Sequence, residues 1–318
     1  MTSLAGGNVV AVKRKEGSDS QELQRSLARY LLCMEEGRRL PSVRDIAAEM
    51  QVSIGSASKA LTSLETVGAV TISRRGHLGS FVEERSLGDL WAIGEQEPLV
   101  IAMTLPSNPR FEGLATALKM VPTRAGVRSY IICIRGAAQR LHALREYRCH
   151  VAAMSRLAAE ALCSETEQVV LRLPAGSWVW DHRIYSRHIP SQSPHRLRVA
   201  IDRTSPDHER LTELAFAGNE VEFSQTSAWQ IPRLLADGRV DAALWDSDDM
   251  DAHPGHQCMS QPLPQSIRSV IGDTDTTAVL VVRRESVSVS AILRTLFHSG
   301  EIMDIQRMVI DGEMVPEF

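Results

Sequence analysis

The chain has 318 residues, of which 43% are hydrophobic and 23% charged, with a formal net charge of −4. That length exceeds one ordinary domain, and an aromatic content of 5% argues against an aromatic-rich all-β protein or a carbohydrate-binding module. No run of about eighteen apolar residues occurs, the opening MTSLAGGNVVAVKRKEG has no continuous apolar core, and the cysteines (33, 133, 149, 163, 258) are scattered and odd in number, so a cytoplasmic, membrane-free protein with reduced thiols is expected.

Residues 1–19 are polar and Gly-containing and read as a flexible tail. From Ser20 to Glu36, Leu23, Leu27, Tyr30, Leu31 and Met34 recur at helical spacing, and Gly37 suits a helix stop. RRLPSVRDIAAEM places Pro41 and the N-cap candidate Ser42 before a short helix, with Ile46, Ala47 and Met50 on its inner face. Gln51, Val52 and Ser53 make a tight turn into a further helix that reaches Val67 and points Ala57, Ala60, Leu61 and Leu64 inward. After Gly68, AVTIS alternates as a strand, RRGHLGS is a glycine-bracketed loop and SFVEE is a returning strand. This order of elements is that of a winged helix-turn-helix, and the small Ala47 lets its two central helices cross closely. Residues 1–82 carry eleven Lys and Arg against eight Asp and Glu, whereas the remainder is acidic, so this end is the one suited to a polyanion.

LPSVRDIAAEMQVS and KALTSLETVGAVTISRRG resemble the L-P-S-E-R-E-L-A-x-x-x-x-V-S and R-A-L-x-x-L-E-x-x-G-L-I-x-R-R-x-G patterns of the GntR family of bacterial regulators, and SFV resembles the close of that family's wing. The resemblance covers residues 20–84 and implies a DNA-binding domain there, in which Arg44 reaches the DNA backbone or groove. Ser53, Ser56, Ser58 and Lys59, at the start of the third helix, can meet phosphates, although capping and plain surface polarity explain them as well. The family's S-R-x-T-V-R is replaced by Ser53-Ile54-Gly55-Ser56-Ala57-Ser58, which implies thymine-methyl readout through Ile54 and Gly55 or weak specificity. Arg74, Arg75 and His77 give the wing a basic tip suited to a minor groove, or else belong to an ordinary charged hairpin; Gly76-His77-Leu78-Gly79 is one residue longer than the usual G-x-G.

Residues 85–97 read as a linker, and from Pro98 the pattern changes to strand–helix repetition. LVIAMTL, YIICI, HVAAM, QVVLRL and WVWDHRIYS are strands, interleaved with helices in SNPRFEGLATALKMV, RGAAQRLHALREY and SRLAAEAL. After IPSQSPH a second set follows: LRVAI, SPDHERLTELAF, EVEFS, SAWQIPRLLADG and VDAALW, then a polar stretch, the strand TTAVLVV and two closing helices. The fold class expected is α/β, an N-terminal winged helix-turn-helix plus a two-lobed, type II periplasmic-binding-protein-like domain over 98–318. Lobe one is expected over 98–190 and 275–318, and lobe two over 195–270. FEGLATAL, RVDAALWDSDD and the ending MDIQRMVIDGEMVPEF resemble the YhfZ group of regulators, which implies transcription control without naming an effector.

Ligands of such sheets sit off the carboxyl ends of the strands. In lobe one those positions hold Thr104, Ser107, Asn108 and Arg110, then Arg135 and Gly136, then Ser155; in lobe two they hold Thr204 and Ser205, Thr226 and Ser227, and Trp245 and Asp246. Each of these residues also suits a helix cap, and Arg110 and Arg135 suit an anionic ligand. His253, His256 and Cys258 give H-x-x-H-x-C with no second pair, and no metal is expected; no G-x-S-x-G, P-loop, G-x-G-x-x-G or H-E-x-x-H is present, so neither a cofactor nor catalysis is expected. The reading is a dimeric regulator binding a double-stranded DNA operator and a small polar or anionic effector. The alternative is a solute-binding or degenerate enzyme-like protein whose head has little DNA affinity.

Overall fold

The computed structural model describes residues 8–187, 196–251 and 258–318. One compact unit runs up to Pro98 and includes Pro122–Arg128, and the other holds Leu99–Val121 and Ser129–Phe318.

In the first unit, α1 (Asn8–Leu32) is followed by β1 (Arg39–Leu40), α2 (Val43–Glu49), α3 (Ile54–Thr66), β2 (Val70–Arg74), β3 (Ser80–Arg85) and α4 (Leu87–Gly94). Residues 8–19 are helical, where the sequence reads as a tail. Burial of Leu23, Leu27 and Leu31 anchors the later turns of α1, and extending an anchored helix costs far less than starting one. Residues 85–97 are likewise more than a linker: Leu90 and Trp91 of α4 are buried, and α4 packs on α1. An apolar pair inside LGDLW is too short a signal to separate a helix from a connector. The sheet has the antiparallel order β1-β3-β2. Gln51 turns the chain between α2 and α3 at φ 56°, and Val52 N–H closes that turn on the Ala47 carbonyl at 2.9 Å.

The second unit begins with β4 (Leu99–Met103), α5 (Pro109–Arg124), β5 (Ser129–Cys133), α6 (Ala137–Arg145), β6 (Val151–Ser155), α7 (Arg156–Leu162) and β7 (Glu167–Arg172). It continues with β8 (His182–Ser186), β9 (Leu197–Ile201), α8 (Pro206–Ala215), β10 (Val221–Gln225), α9 (Ile231–Ala236), β11 (Ala242–Asp246), α10 (Ser247–Asp251), β12 (Met259–Pro262) and α11 (Gln265–Ile271). It closes with β13 (Ala278–Arg283), α12 (Val287–Leu296) and α13 (Ser299–Ile310).

Two five-stranded sheets result, ordered β5-β4-β6-β13-β7 and β10-β9-β11-β8-β12. The first three strands of each α/β set run parallel, and β13 returns from the second lobe to lie antiparallel between β6 and β7. This is the two-lobed, type II periplasmic-binding-protein-like architecture. The lobe boundary differs from the sequence reading at β8, which belongs to lobe two. There it pairs antiparallel with β11 from Ser186↔Ala242 to His182↔Asp246, and Tyr185 joins the core of Ile231, Leu235, Val240 and Trp245. Alternation within WVWDHRIYS identifies a strand but not its sheet.

Gly113 sets how closely two helices of lobe one approach. A Cβ there would lie 2.7 Å from the Gln306 carbonyl oxygen of α13, whose side-chain amide donates to the carbonyls of Arg110 and Ser177 at 2.9 Å each. Gly113→Ala is expected to destabilise the second unit by about 1–3 kcal/mol through overpacking, seen as a lowered melting temperature in thermal unfolding.

Candidate functional site

In the head, α2 and α3 are fixed at their starts by side-chain caps. Ser42 and Asp45 form a reciprocal capping box, and Ser53 Oγ accepts from Ser56 N–H at 3.0 Å. Ala57, Ala60, Leu61 and Leu64 of α3 are buried, while Ile54, Gly55, Ser56, Ser58 and Lys59 are exposed on its other side. Arg44 and Lys59 are exposed and form no ion pair among the described residues. Ser53 and Ser56 share a hydroxyl–hydroxyl contact of 2.9 Å.

At the wing, Gly76–Leu78 form a single 3-10 turn, with Gly76 and Gly79 at φ 55° and 95°, which absorbs the extra residue. The candidate cations there differ in their engagement. Arg74 is held by Glu65 of α3 through two bonds of 3.0 and 2.5 Å. Arg75 lies over the Phe81 ring and 3.7 Å from Glu83, and His77 is exposed at the tip.

In the second unit the candidate ligand residues all fall at carboxyl ends of strands, and several face protein groups of the opposite lobe. Arg110, in the first turn of α5, grips Asp248 of α10 through Nε and Nη2 at 2.7 and 3.2 Å, donates to the Gly176 carbonyl and stacks on Trp180. Ser155 caps α7 and gives its hydroxyl to Asp207 of α8, 2.8 and 2.6 Å from the two carboxylate oxygens. Arg135 lies 4.6 Å above Trp229, and a Cβ on Gly136 would come 3.7 Å from the Thr204 carbonyl.

The other candidates serve mainly local geometry. Asn108 Oδ1 accepts from Phe111 N–H at 3.0 Å, and Thr104 and Ser107 lie in the loop between β4 and α5. Thr204 binds Asp202 through both its N–H and its hydroxyl, and Ser205 caps α8. Thr226 continues the sheet through its N–H to Ile201, and the Ser227 carbonyl starts a 3-10 turn. Trp245 and Asp246 are buried at the end of β11. His253 and His256 lie outside the described residues, Cys258 is half-buried, and among the described residues no His, Cys, Asp or Glu cluster could hold a metal.

Sequence reading missed the buried charges beside these positions. His182 Nδ1 lies 2.7 Å from Asp275, which Arg268 also grips at 2.9 Å while binding Asp181. Burial opposes the charged form of His182, but the Asp275 bond and the charges of Asp275, Asp246 and Asp207 outweigh it and raise its pKa. Burial pushes the Asp207 carboxyl up to about 6 against the lowering contact with Ser155. Arg140 of α6 is 4% exposed, and burial lowers its pKa to about 10, so it stays charged at neutral pH. Within RGAAQRLHALREY no signal separates Arg140 from an ordinary surface arginine.

His208 is neutral by construction. Asp202 N–H can only donate, so Nδ1 accepts from it at 3.0 Å, and Nε2–H donates to the Leu244 carbonyl at 2.9 Å. Burial lowers its pKa from 6.5 to about 4. Its stabilising contribution is therefore complete above pH 6.5 and is lost as pH falls toward 4, whereas the raised carboxyl of Asp207 gains stability over part of the same range. His208→Gln is expected to lower the melting temperature at neutral pH and to flatten its fall between pH 6.5 and 4, measured as the difference between parent and variant profiles.

A winged helix-turn-helix joined to a two-lobed binding-protein-like domain defines the class of this chain. Residues 35–82 match the model of a helix-turn-helix domain, and residues 87–318 match that of the YhfZ C-terminal domain. The chain is 30% identical over 294 residues to YhfZ of Escherichia coli (strain K12), covering 92% of this chain and 95% of that one. It superposes on the crystal structure of YhfZ from Shigella flexneri with a TM-score of 0.60 and 27% identity, over 73% of this chain and 98% of that one. The chain belongs to the YhfZ family. No helix among the described residues is long and apolar enough to cross a membrane.

Proposed function

We propose that this chain is a transcription regulator of the GntR-like type, acting as a cytoplasmic homodimer on a pseudo-palindromic operator and controlled by a small polar or anionic effector. One observation carries the DNA half of this reading: α3 fills the head core with Ala57, Ala60, Leu61 and Leu64 while its capped start leaves Ile54, Gly55, Ser56, Ser58 and Lys59 exposed. A helix presented that way suits a major groove, with Arg44, Ser53, Ser58 and Lys59 at phosphates and the wing residues Arg75 and His77 on the neighbouring strand. Arg74 has a smaller part, because its charge is already matched by Glu65. Ile54 is 51% exposed and carries no polar group, so its contribution to base choice is contact with thymine methyls.

The two-lobed domain is the sensor in this reading and performs no chemistry. Its carboxyl-end residues in both lobes receive the effector, which alters operator affinity only by binding two arrangements of the chain unequally.

Arg44→Ala combined with Lys59→Ala is expected to weaken binding to DNA from upstream of its own gene several-fold, without changing the melting temperature. Loss of two phosphate contacts is also expected to reduce the slope of log affinity against log salt by about two. A gel shift across a salt series measures both, and unchanged affinity removes these residues from the interface.

A further inference from the structure

Two of the strand-end positions expected to receive a ligand, Arg110 and Ser155, are engaged by the protein's own carboxylates. Asp248 meets Arg110 through two bonds, and Asp207 meets Ser155 with both oxygens. Arg140 lacks such a match. Its guanidinium donates from Nη1 to the Ile134 carbonyl at 2.9 Å and lies 5.5 Å above the Trp178 ring, but its buried Nε–H has no acceptor among the described residues. The nearby Asp207 carboxylate gives both oxygens to Ser155 instead, although its charge is close enough to act on Arg140. Thr277, fully buried, also has a hydroxyl without a partner among the described residues. It directly precedes Ala278, which pairs with Ser155 across β13 and β6.

A buried guanidinium with an unused donor is costly, and an incoming acceptor that carries negative charge removes that cost. The groups around it set the ligand's chemistry. Ser155 already accommodates a planar carboxylate, and Arg140, on the preceding helix α6, offers the fork that such a group accepts. Asp207 and Ser155 belong to opposite lobes, so separating the lobes withdraws Asp207 and exposes the Ser155 hydroxyl.

Resting on the effector-binding reading above, we propose that Arg140 anchors the carboxylate of a small organic acid bound between the lobes, with Ser155 and Thr277 as hydroxyl partners, and that Asp207 is the resident carboxylate it displaces. Asp207 is then a built-in competitor that sets the threshold concentration. The effector's apparent affinity scales with the fraction of time the lobes are unlatched.

The test uses the full chain with acetate, pyruvate and succinate as probes, acetamide as the neutral control and sodium chloride to match ionic strength, read by titration calorimetry. Asp207→Asn is expected to bind at least one carboxylate about ten-fold more tightly than the parent chain, because the competitor has lost its charge. Adding Arg140→Gln is expected to remove that binding by about ten-fold or more. Arg140→Lys, which keeps the charge but not the fork, serves if the Gln variant fails to fold, and is also expected to bind more weakly. The proposal is overturned if Asp207→Asn binds no probe, if affinity is the same with and without Arg140, or if inorganic phosphate binds in place of the carboxylates. Duplex DNA binding by the parent chain, without any probe, separates the two readings. Failure of the parent chain to bind DNA, with carboxylate binding retained, overturns the regulator and leaves the anion site, and DNA binding by the parent chain without carboxylate binding by any variant overturns the anion site alone.

Discussion

The second unit depends on the placement of β13. Because this strand lies antiparallel between β6 and β7, lobe one cannot complete its sheet until the chain has passed through lobe two and returned. Two crossings are forced by that one insertion, one into lobe two and one back. The same return brings Asp275 and Thr277 to the carboxyl ends of the parallel strands, beside Ser155. Those ends carry the amide groups and helix starts that favour polar and anionic ligands. Chain connectivity, more than any single side chain, concentrates the polar chemistry there.

Charge in this region is arranged unevenly. Asp275 is shared between His182 and Arg268, Asp248 is given to Arg110, and Asp207 is given to a hydroxyl. Burial penalises the charged forms of His182, Asp275, Asp207 and Arg140, so the pairs that form hold each other in place while a buried charge without a direct partner keeps an unmet electrostatic demand. Arg140 is the clearest case, since its charge persists at neutral pH while its Nε–H is unused. His208 resolves the same problem by remaining neutral between an amide donor and a carbonyl acceptor.

The head solves a different problem, presenting a helix whose outward side is free of packing. Small inward residues allow α3 to sit close to its neighbours, with Ala57 and Ala60 buried, and hydroxyl caps satisfy the amides at its start. The outward side is short and weakly charged, with Lys59 its one cation. On such a surface phosphate attraction is modest, and shape and methyl contacts carry a larger share of any discrimination between sequences.

The sequence alone determined the winged head and the repeated strand–helix units, but not α4, α10, β12 or α11, because hydrophobic period, capping residues and glycine stops are local properties and those short elements carry little of them. Ser42, Ser53, Ser155 and Ser205 were all legible as residues at helix starts for that reason. Tertiary structure decided what local pattern does not encode. It placed β8 in the second sheet, since strand alternation names no partner; it turned 87–94 into a packed helix, since two apolar residues suffice once α1 lies beside them. It also set the state of the charges. Nothing in the sequence says which of Arg74, Arg110 and Arg140 is paired, yet the fold gives one to Glu65 and one to Asp248 and buries the third with no ion pair among the described residues, because burial and pairing arise only when distant segments meet.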